Sequence, residues 1–213
     1  MQKGKFITVE GVEGAGKSTN IATIKSFLDQ SGIEYIHTRE PGGTEYGERL
    51  RELLLAHLDE TLDPTAELLM IFAARAQHLS QLILPALARG VWVLSDRFTD
   101  ATYAYQGAGR ALDLDTISTL EHLVQGDLRP DLTLILDLPV ALGMQRVSGR
   151  GERDRFEVEQ NAFFERVRAS YLSIAAQSPE RYRLIDTSKP LDQVRHDIVT
   201  VMGTYCDEHQ NDG

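Results

Sequence analysis

Short apolar runs alternate with amphipathic segments along the whole chain, which has 213 residues. The apolar runs predict five strands, at residues 6–9, 34–38, 91–95, 132–138 and 182–186. Apolar residues at helical spacing predict a first helix after residue 18 and further helices at residues 45–57, 64–89, 113–125, 139–148, 157–177 and 190–207. Buried strands separated by helices are typical of a parallel sheet with helices on both faces. The pattern therefore predicts a single α/β domain over residues 1–213.

The first predicted strand leads into the sequence GVEGAGKS at residues 11–18, and a helical pattern begins directly after it. A loop of the form G-x-x-x-x-G-K-[ST] between a strand and a helix is a P-loop, and it predicts the P-loop NTP hydrolase fold. The N–H groups of the loop bind phosphate, Lys17 can reach the β- and γ-phosphates, and the Ser18 hydroxyl can ligate Mg²⁺. The expected ATP-binding residues are Gly11, Val12, Glu13, Gly14, Ala15, Gly16, Lys17 and Ser18.

Polar clusters follow the second and third predicted strands, with the sequences TREPGGT at residues 38–44 and DRF at residues 96–98. Because ligands bind at the carboxyl ends of parallel strands, we expect both clusters to lie beside the P-loop. Asp96 is expected to bind Mg²⁺ or its waters, or alternatively to cap the helix that follows. Arg97 is expected to hold a second anion with its planar guanidinium group.

The segment between the helices predicted at 139–148 and 157–177 is rich in arginine and glycine. It predicts a mobile cationic lid at about residues 146–156 that closes over phosphates and excludes water. A solvated loop whose arginines pair with neighbouring glutamates is the alternative. The sequence has no guanine-reading N-K-x-D element, which argues against a GTPase. A small P-loop chain with an arginine-rich lid indicates a kinase that acts on a small molecule.

The composition restricts the partners further. The formal net charge is -10, whereas nucleic acids and acidic membranes require a basic surface. The single cysteine, Cys206, cannot form an internal disulfide. The sequence shows neither a signal-peptide pattern nor an apolar run of roughly 18 residues. We therefore expect a cytoplasmic protein that binds neither nucleic acid nor membrane.

Three segments resemble the thymidylate kinase family: residues 38–44, residues 96–98 together with AYQG at 104–107, and RPDLT at 129–133. The resemblance extends from the first strand to the last helix. It implies a nucleoside monophosphate kinase that transfers the γ-phosphate of ATP to dTMP, giving dTDP, with Mg²⁺, and that forms a homodimer. A deoxynucleoside kinase, which would phosphorylate thymidine, and a nucleotide-binding regulatory P-loop protein are the alternatives.

The resemblance assigns residues to the dTMP phosphate and to catalysis. Arg97 matches the clamp on the dTMP phosphate, and Arg51 matches a helper on the following helix. Glu40 is expected near the magnesium ion or the sugar, or in a role that stabilises the turn. The P-loop carries no arginine after Glu13, which is similar to the bacterial branch of the family, where the lid supplies the charge. The expected catalytic residues are Lys17, Arg97, Arg150, Arg153 and Glu13, with Arg146 and Arg155 as further lid candidates.

The resemblance also assigns the base and sugar contacts. Arg75 matches the arginine that reads a thymine carbonyl, its donors being suited to O4. Thr102 and Gln106 match residues near N3 of the base. Tyr105 matches a tyrosine that packs on the sugar, where it would crowd a 2′-hydroxyl and favour deoxyribose.

The base-stacking position departs from the pattern of the family. The family places a phenylalanine four residues before the base-reading arginine, and this chain has Ile71 there, followed by Phe72. We expect Phe72 to stack on thymine, with Ile71 in that place and Phe72 in the core as the alternative. His78 is expected on the helix surface rather than at the border of the pocket.

Overall fold

The computed structural model describes residues 4–148, 155–157 and 159–210. Within these residues, the strands form one parallel sheet in the order β2-β3-β1-β4-β5. The strands are β1 (Phe6–Gly11), β2 (Tyr35–Arg39), β3 (Trp92–Asp96), β4 (Leu132–Asp137) and β5 (Tyr182–Asp186). The predicted five-stranded parallel sheet is confirmed, and the first four strands differ from their predicted bounds only at their ends.

Crossover connections leave the central strand β1 in both directions, so that helices cover both faces of the sheet. The helices are α1 (Lys17–Gln30), α2 (Glu45–Leu55), α3 (Pro64–His78), α4 (Leu84–Ala88), α5 (Thr99–Thr102), α6 (Leu114–Gln125), α7 (Val140–Ser148), α8 (Asn161–Gln177) and α9 (Leu191–Gln210). Two π-helical segments, Leu79–Ile83 and Tyr103–Gly109, continue α3 and α5 respectively.

The long helix predicted at residues 64–89 is continuous in direction but not uniform. It begins as predicted, because the Asp63 side chain accepts hydrogen bonds from Thr65 N and Ala66 N at 2.8 and 3.2 Å. It then contains the π-helical segment Leu79–Ile83. Pro85 follows that segment and has no N–H for an ordinary helical bond, which gives a physical reason for the wider turn. The helix predicted at 157–177 begins later, at Asn161.

The largest apolar core lies between the sheet and helices α1, α8 and α9. Strand β1 contributes Val9, and α1 contributes Ile24 and Leu28, all with no exposed surface. The strand register aligns Val9 of β1 with Asp96 of β3, and Arg39 of β2 with the same Asp96. The P-loop and the polar clusters after β2 and β3 therefore meet at one edge of the sheet, as predicted.

Candidate active site

A cleft of about 340 Å³ opens at the carboxyl ends of β1, β2 and β3. Most residues singled out from the sequence line it: Glu13, Gly14, Gly16, Lys17, Ser18, Glu40, Arg51, Arg75, Asp96, Arg97, Thr102, Tyr105 and Gln106. The sequence did not indicate that Leu54, Leu55, Phe156 and Glu157 also line it. Helix α2 thus contributes apolar side chains to the cleft, and the segment before α8 contributes an aromatic ring and a carboxylate.

The P-loop runs from the end of β1 to the start of α1 at Lys17. Gly14 has a φ of 76°, and a side chain there would collide with the backbone of Gly143 in α7. The glycine therefore allows the loop to lie directly on α7. The Lys17 ammonium lies 3.4 Å from the Gly11 carbonyl oxygen, and its burial together with nearby Arg97 lowers the pKa of Lys17.

Arg97 joins the end of β3 to the P-loop. Its backbone has a φ of 71°, which is uncommon for a residue with a side chain. Its Nη2 donates to Glu13 Oε1 at 2.7 Å and to Tyr105 Oη at 3.0 Å, and Tyr105 Oη donates to the same Glu13 oxygen at 2.9 Å. Burial favours the neutral form of Glu13, but Lys17 and Arg97 outweigh it and hold the pKa of this carboxyl below its ordinary value.

A second hydrogen-bond chain supports Arg97 from inside the protein. Its Nη1 donates to Tyr171 Oη at 3.2 Å, and the Tyr171 hydroxyl donates to Glu10 Oε2 at 2.7 Å. Glu10 is fully buried on β1 and also accepts a hydrogen bond from Phe98 N at 2.7 Å. Burial, with a contribution from Asp100, raises the pKa of Glu10 to about 8. The sequence analysis missed both Glu10 and Tyr171, since they belong to a strand and a helix that read as ordinary core elements.

Arg75 is buried on α3 and held from two sides. Its Nε donates to Glu40 Oε2 at 2.7 Å, and its Nη2 donates to Thr102 Oγ1 at 3.0 Å. The guanidinium lies between the rings of Phe72 and Phe98, at 4.9 and 5.1 Å from their centroids. The remaining nitrogen, Nη1, is buried and has no hydrogen-bond partner among the described residues. Because an unpaired buried donor is costly, Nη1 is suited to a ligand acceptor.

The structure corrects the expected position of His78. His78 is completely buried rather than on the helix surface, with Nε2 2.7 Å from Thr38 Oγ1 and Nδ1 3.0 Å from Glu40 Oε1. A side chain at Gly43 would collide with the imidazole, so the glycine turn leaves room for it. Both Glu40 carboxylate oxygens form hydrogen bonds, one with His78 and one with Arg75, so Glu40 fixes the position of Arg75; its expected place near the magnesium ion or the sugar, or in stabilising the turn, stays a prediction.

Ile71, not Phe72, lines the cleft. Phe72 is 2% exposed and packs with Leu68 and Ile117 beneath the Arg75 guanidinium. Successive helical residues are turned by about 100°, so only one of the two can face the cleft. The structure therefore places Phe72 in the core and Ile71 at the cleft, as in the alternative arrangement, and which of the two packs on thymine stays a prediction.

Gln106 lines the cleft next to a residue that the sequence analysis missed. Its Nε2 donates to Glu67 Oε1 at 2.7 Å, and Glu67 is completely buried on α3. Arg155 Nη2 donates to Glu67 Oε2 at 2.6 Å, and Arg155 Nε donates to the Leu54 carbonyl at 2.9 Å. Arg155, named as a further lid candidate, is thus engaged with α2 and α3. A glutamate at a position with core periodicity was the available signal for Glu67.

The other lid candidates have different positions. Arg146 at the end of α7 donates to the carbonyls of Gly14 and Thr187, at 3.3 and 3.1 Å, so it bridges the P-loop and the loop after β5. Arg150 and Arg153, the expected catalytic arginines, lie outside the described residues, as does most of the predicted lid.

Asp96 and Ser18 both line the cleft. Asp96 is not a helix cap, because α5 begins at Thr99 and Phe98 precedes it. Its Oδ1 is buried and accepts no hydrogen bond within the described part of the chain. In that part no three His, Cys, Asp or Glu side chains cluster as a metal site. Mg²⁺ needs no such cluster, since one or two carboxylates, a few waters and substrate phosphates usually complete its shell.

The Mg²⁺ donors expected from the sequence therefore fit the ion, since a buried carboxylate oxygen without a hydrogen bond and a P-loop hydroxyl belong to residues that line the same cleft. Among the described residues, no helix is long and apolar enough to cross a membrane.

Comparison with known proteins gives one consistent result. A family model described as thymidylate kinase matches residues 9–198. The chain is 62% identical over 195 residues to the thymidylate kinase of Teredinibacter turnerae, covering 92% of this chain and 95% of the relative. It is 58% identical over 201 residues to that of Pseudomonas fluorescens strain SBW25, covering 94% and 96%. The crystal structure of thymidylate kinase from Ehrlichia chaffeensis superimposes with a TM-score of 0.75 at 32% identity, covering 94% of this chain and 99% of that one.

Proposed function

The chain belongs to the thymidylate kinase family, and from this premise we propose how the cleft phosphorylates dTMP. The protein is a nucleoside monophosphate kinase that transfers the γ-phosphoryl group of ATP to dTMP. One observation carries the assignment of the substrates: Arg97 and the P-loop residue Glu13 are joined by a 2.7 Å contact. An acceptor phosphate at Arg97 would lie beside the P-loop that holds the donor.

The acceptor dTMP occupies the part of the cleft between Arg97 and Arg75. Arg97 holds the dTMP phosphate, with Arg51 near it; Arg51 Nη1 donates to the Pro41 carbonyl at 3.0 Å. The unpaired Nη1 of Arg75 donates to O4 of thymine. Ile71 packs on the base, and Tyr105 packs on the sugar. The charged end and the base end of the cleft are thereby matched to the two ends of the nucleotide.

The donor ATP binds at the P-loop. Backbone N–H groups and Lys17 hold the β- and γ-phosphates, and the N-terminus of α1 adds its positive end. Arg146 reaches both the P-loop and Thr187, so it lies where the adenine would meet the loop after β5. Arg150 and Arg153 remain our candidates for the lid charge that neutralises the transferring group.

Ser18 and Asp96 would hold Mg²⁺, because one offers a hydroxyl and the other a buried carboxylate oxygen without a partner. When bound, the ion neutralises charge on the phosphates of ATP. The remaining work belongs to the side chains of the cleft. A phosphate oxygen of dTMP is already an anion, so no general base is needed, and the site acts by positioning the two phosphates and stabilising charge.

Two finer properties belong to the same proposal. We propose a homodimer that forms through helices α2, α3 and α6, because α3 packs on the other two and exposed leucines lie along them. These are Leu53, Leu69 and Leu123, exposed by 55, 51 and 77%.

We also propose a single-domain cytoplasmic enzyme without nucleic-acid or membrane partners, in keeping with its net charge of -10.

A coupled assay that follows ADP formation tests the proposal, with dTMP, dUMP, thymidine and dGMP as acceptors. We expect turnover with dTMP, and none with thymidine or dGMP. Turnover of thymidine without dTMP would indicate a deoxynucleoside kinase instead. Binding of ATP without turnover of any acceptor would indicate a regulatory protein.

A further inference from the structure

We propose that Glu67 fixes the orientation of the Gln106 amide and thereby makes the base pocket selective for a pyrimidine with a hydrogen on N3. The inference rests on the proposed function, because it takes the cleft beside Arg75 as the base site. Glu67 itself does not line this cleft. It is a positioning residue that acts through Gln106, whose Nε2 lies 2.7 Å from Glu67 Oε1.

The surroundings of Glu67 determine which end of the Gln106 amide faces it. Two guanidinium groups approach the carboxylate, Arg155 at 2.6 Å from Oε2 and Arg110 at 3.5 Å from Oε1. A carboxylate held by two cations accepts hydrogen bonds and donates none. If Gln106 were reversed, its oxygen would face another acceptor in a buried site, which is strongly unfavourable. The Gln106 NH₂ group is therefore committed to Glu67.

The commitment of the NH₂ group leaves Gln106 Oε1 as an acceptor for the ligand. No group in the described part of the chain donates to Oε1, and Gln106 lines the cleft. Arg75 Nη1 is the neighbouring unpaired donor. In thymine or uracil, O4 can accept from Arg75 Nη1, and N3–H can donate to Gln106 Oε1. Cytosine offers an amino group and an N3 acceptor in the same places, so both contacts would be mismatched.

The variant Glu67→Gln tests the orientation directly, because it preserves the shape of the side chain. The oxygen of the introduced amide is expected to stay on Arg155, the shorter of the two arginine contacts. Its NH₂ group would then face Gln106 and donate to Oε1. This arrangement turns the Gln106 NH₂ group toward the cleft, where it donates to an N3 acceptor.

The measurement is the ratio of kcat/KM for dTMP to that for 5-methyl-2′-deoxycytidine 5′-monophosphate. The two nucleotides share the methyl group, sugar and phosphate and differ only at C4 and N3. Where the cytidine analogue is not turned over, its inhibition constant against dTMP replaces its kcat/KM. We expect Glu67→Gln to lower the preference for dTMP by about tenfold, because dTMP loses its hydrogen bond with Gln106 and the cytidine analogue gains one. An unchanged ratio in an active variant overturns the inference.

Arg155→Gln is the matched control. It removes a guanidinium from Glu67 but leaves the bond between Glu67 and Gln106, so the ratio should be unchanged even if kcat falls. A shift equal to that of Glu67→Gln would mean that loss of lid contacts, not amide orientation, sets the ratio, and it would overturn the proposal. A wild-type enzyme that is inactive on dTMP would overturn the proposed function. If the wild type is active and Glu67→Gln has the same ratio of kcat/KM values as the wild type, only the role of Glu67 is overturned.

A second measurement uses the wild-type enzyme and does not depend on the folding of a variant. The side-chain amide signal of Gln106 is identified in a ¹⁵N spectrum by its loss in Gln106→Met. We expect one of its hydrogens to be protected from solvent exchange both without and with dTMP, because Glu67 holds it in both states. Exchange as fast as that of the exposed Gln193 would overturn the proposal.

Discussion

Arg97 Nη2 lies 2.7 Å from Glu13 Oε1, so the residue after the third strand is fixed to the P-loop. Tyr105 bonds to both side chains, and Tyr171 supports Arg97 from the opposite side. These contacts couple the proposed dTMP clamp to the loop that we propose binds ATP. The distance between the two proposed phosphate sites is therefore set by side chains that hold one another in place.

Replacing Arg97 tests its assignment as the clamp on the acceptor. We expect Arg97→Ala to raise the KM for dTMP by about 10- to 100-fold, the loss expected for charge-assisted hydrogen bonds. Arg97→Lys should have an intermediate effect, because lysine keeps the charge but cannot form a planar pair. Steady-state kinetics with each substrate varied separately would measure both changes.

The control for this series is Arg183→Ala. Arg183 lies on β5 and its described hydrogen bonds run to the carbonyls of Pro179, Glu180 and Tyr182. Arg183→Ala changes the net charge by the same amount as Arg97→Ala but should leave the KM for dTMP unaltered. Similar KM values for Arg97→Ala and the wild type would contradict the proposed clamp.

Asp96 provides a test of the proposed magnesium site. We expect Asp96→Asn to raise the Mg²⁺ concentration needed for half-maximal activity by about tenfold or more, because the amide lacks the negative charge of the carboxylate. A titration of activity against free Mg²⁺ at saturating ATP measures the change. Asp137→Asn is the matched control, since Asp137 ends strand β4 of the same parallel sheet but is held by Arg168 at 2.7 and 2.9 Å. Equal Mg²⁺ dependence in the two variants would argue against Asp96 as a ligand.

The sequence predicts the fold and most of the cleft because those signals are local. A glycine loop between a strand and a helix, and polar clusters directly after apolar strands, need no knowledge of distant contacts. The register then brings Asp96 level with Arg39 and Val9 as expected for parallel strands. The family match agrees with the activity expected from the sequence.

The sequence does not predict the side chains that hold those residues in place. His78 and Glu67 lie on α3, and their partners are 38 to 88 residues away along the chain. A polar residue on a helix is usually solvated, so the residue type favours a surface position even where the periodicity favours the core. The sequence also does not show which of Ile71 and Phe72 faces the cleft, since the rotation of α3 is set where its Leu68 and Phe72 pack on Ile117 of α6.

Tyr105 is expected to determine the preference for deoxyribose. Tyr105→Leu removes the ring, and we expect the preference for dTMP over ribothymidine 5′-monophosphate to fall by about tenfold, because space opens at the 2′ position. Tyr105→Phe keeps the ring and should keep that preference. It should instead raise the KM for dTMP, since it loses the hydroxyl that bonds to Arg97 at 3.0 Å and to Glu13 at 2.9 Å. Identical sugar preferences in both variants would contradict a role for the ring.

Glu10 makes the stability of the protein depend on pH. Burial raises the pKa of Glu10 to about 8 in the folded chain, from 4.5 for an ordinary glutamate. Between these values the folded protein binds a proton that the unfolded chain releases, so the free energy of unfolding should fall as the pH rises.

In Glu10→Gln the side chain is neutral at every pH and can still accept from Phe98 N and contact Tyr171. We therefore expect its free energy of unfolding to fall less than that of the wild type between about pH 5 and pH 8. Urea unfolding at several pH values in this range measures the two slopes. Asp186→Asn is the control, because the pKa of this exposed carboxyl is lowered by Ser188 and it stays charged throughout the range. Parallel curves for Glu10→Gln and the wild type would mean that Glu10 is ionised in the folded protein, with Tyr171 and Phe98 sufficient to hold its charge.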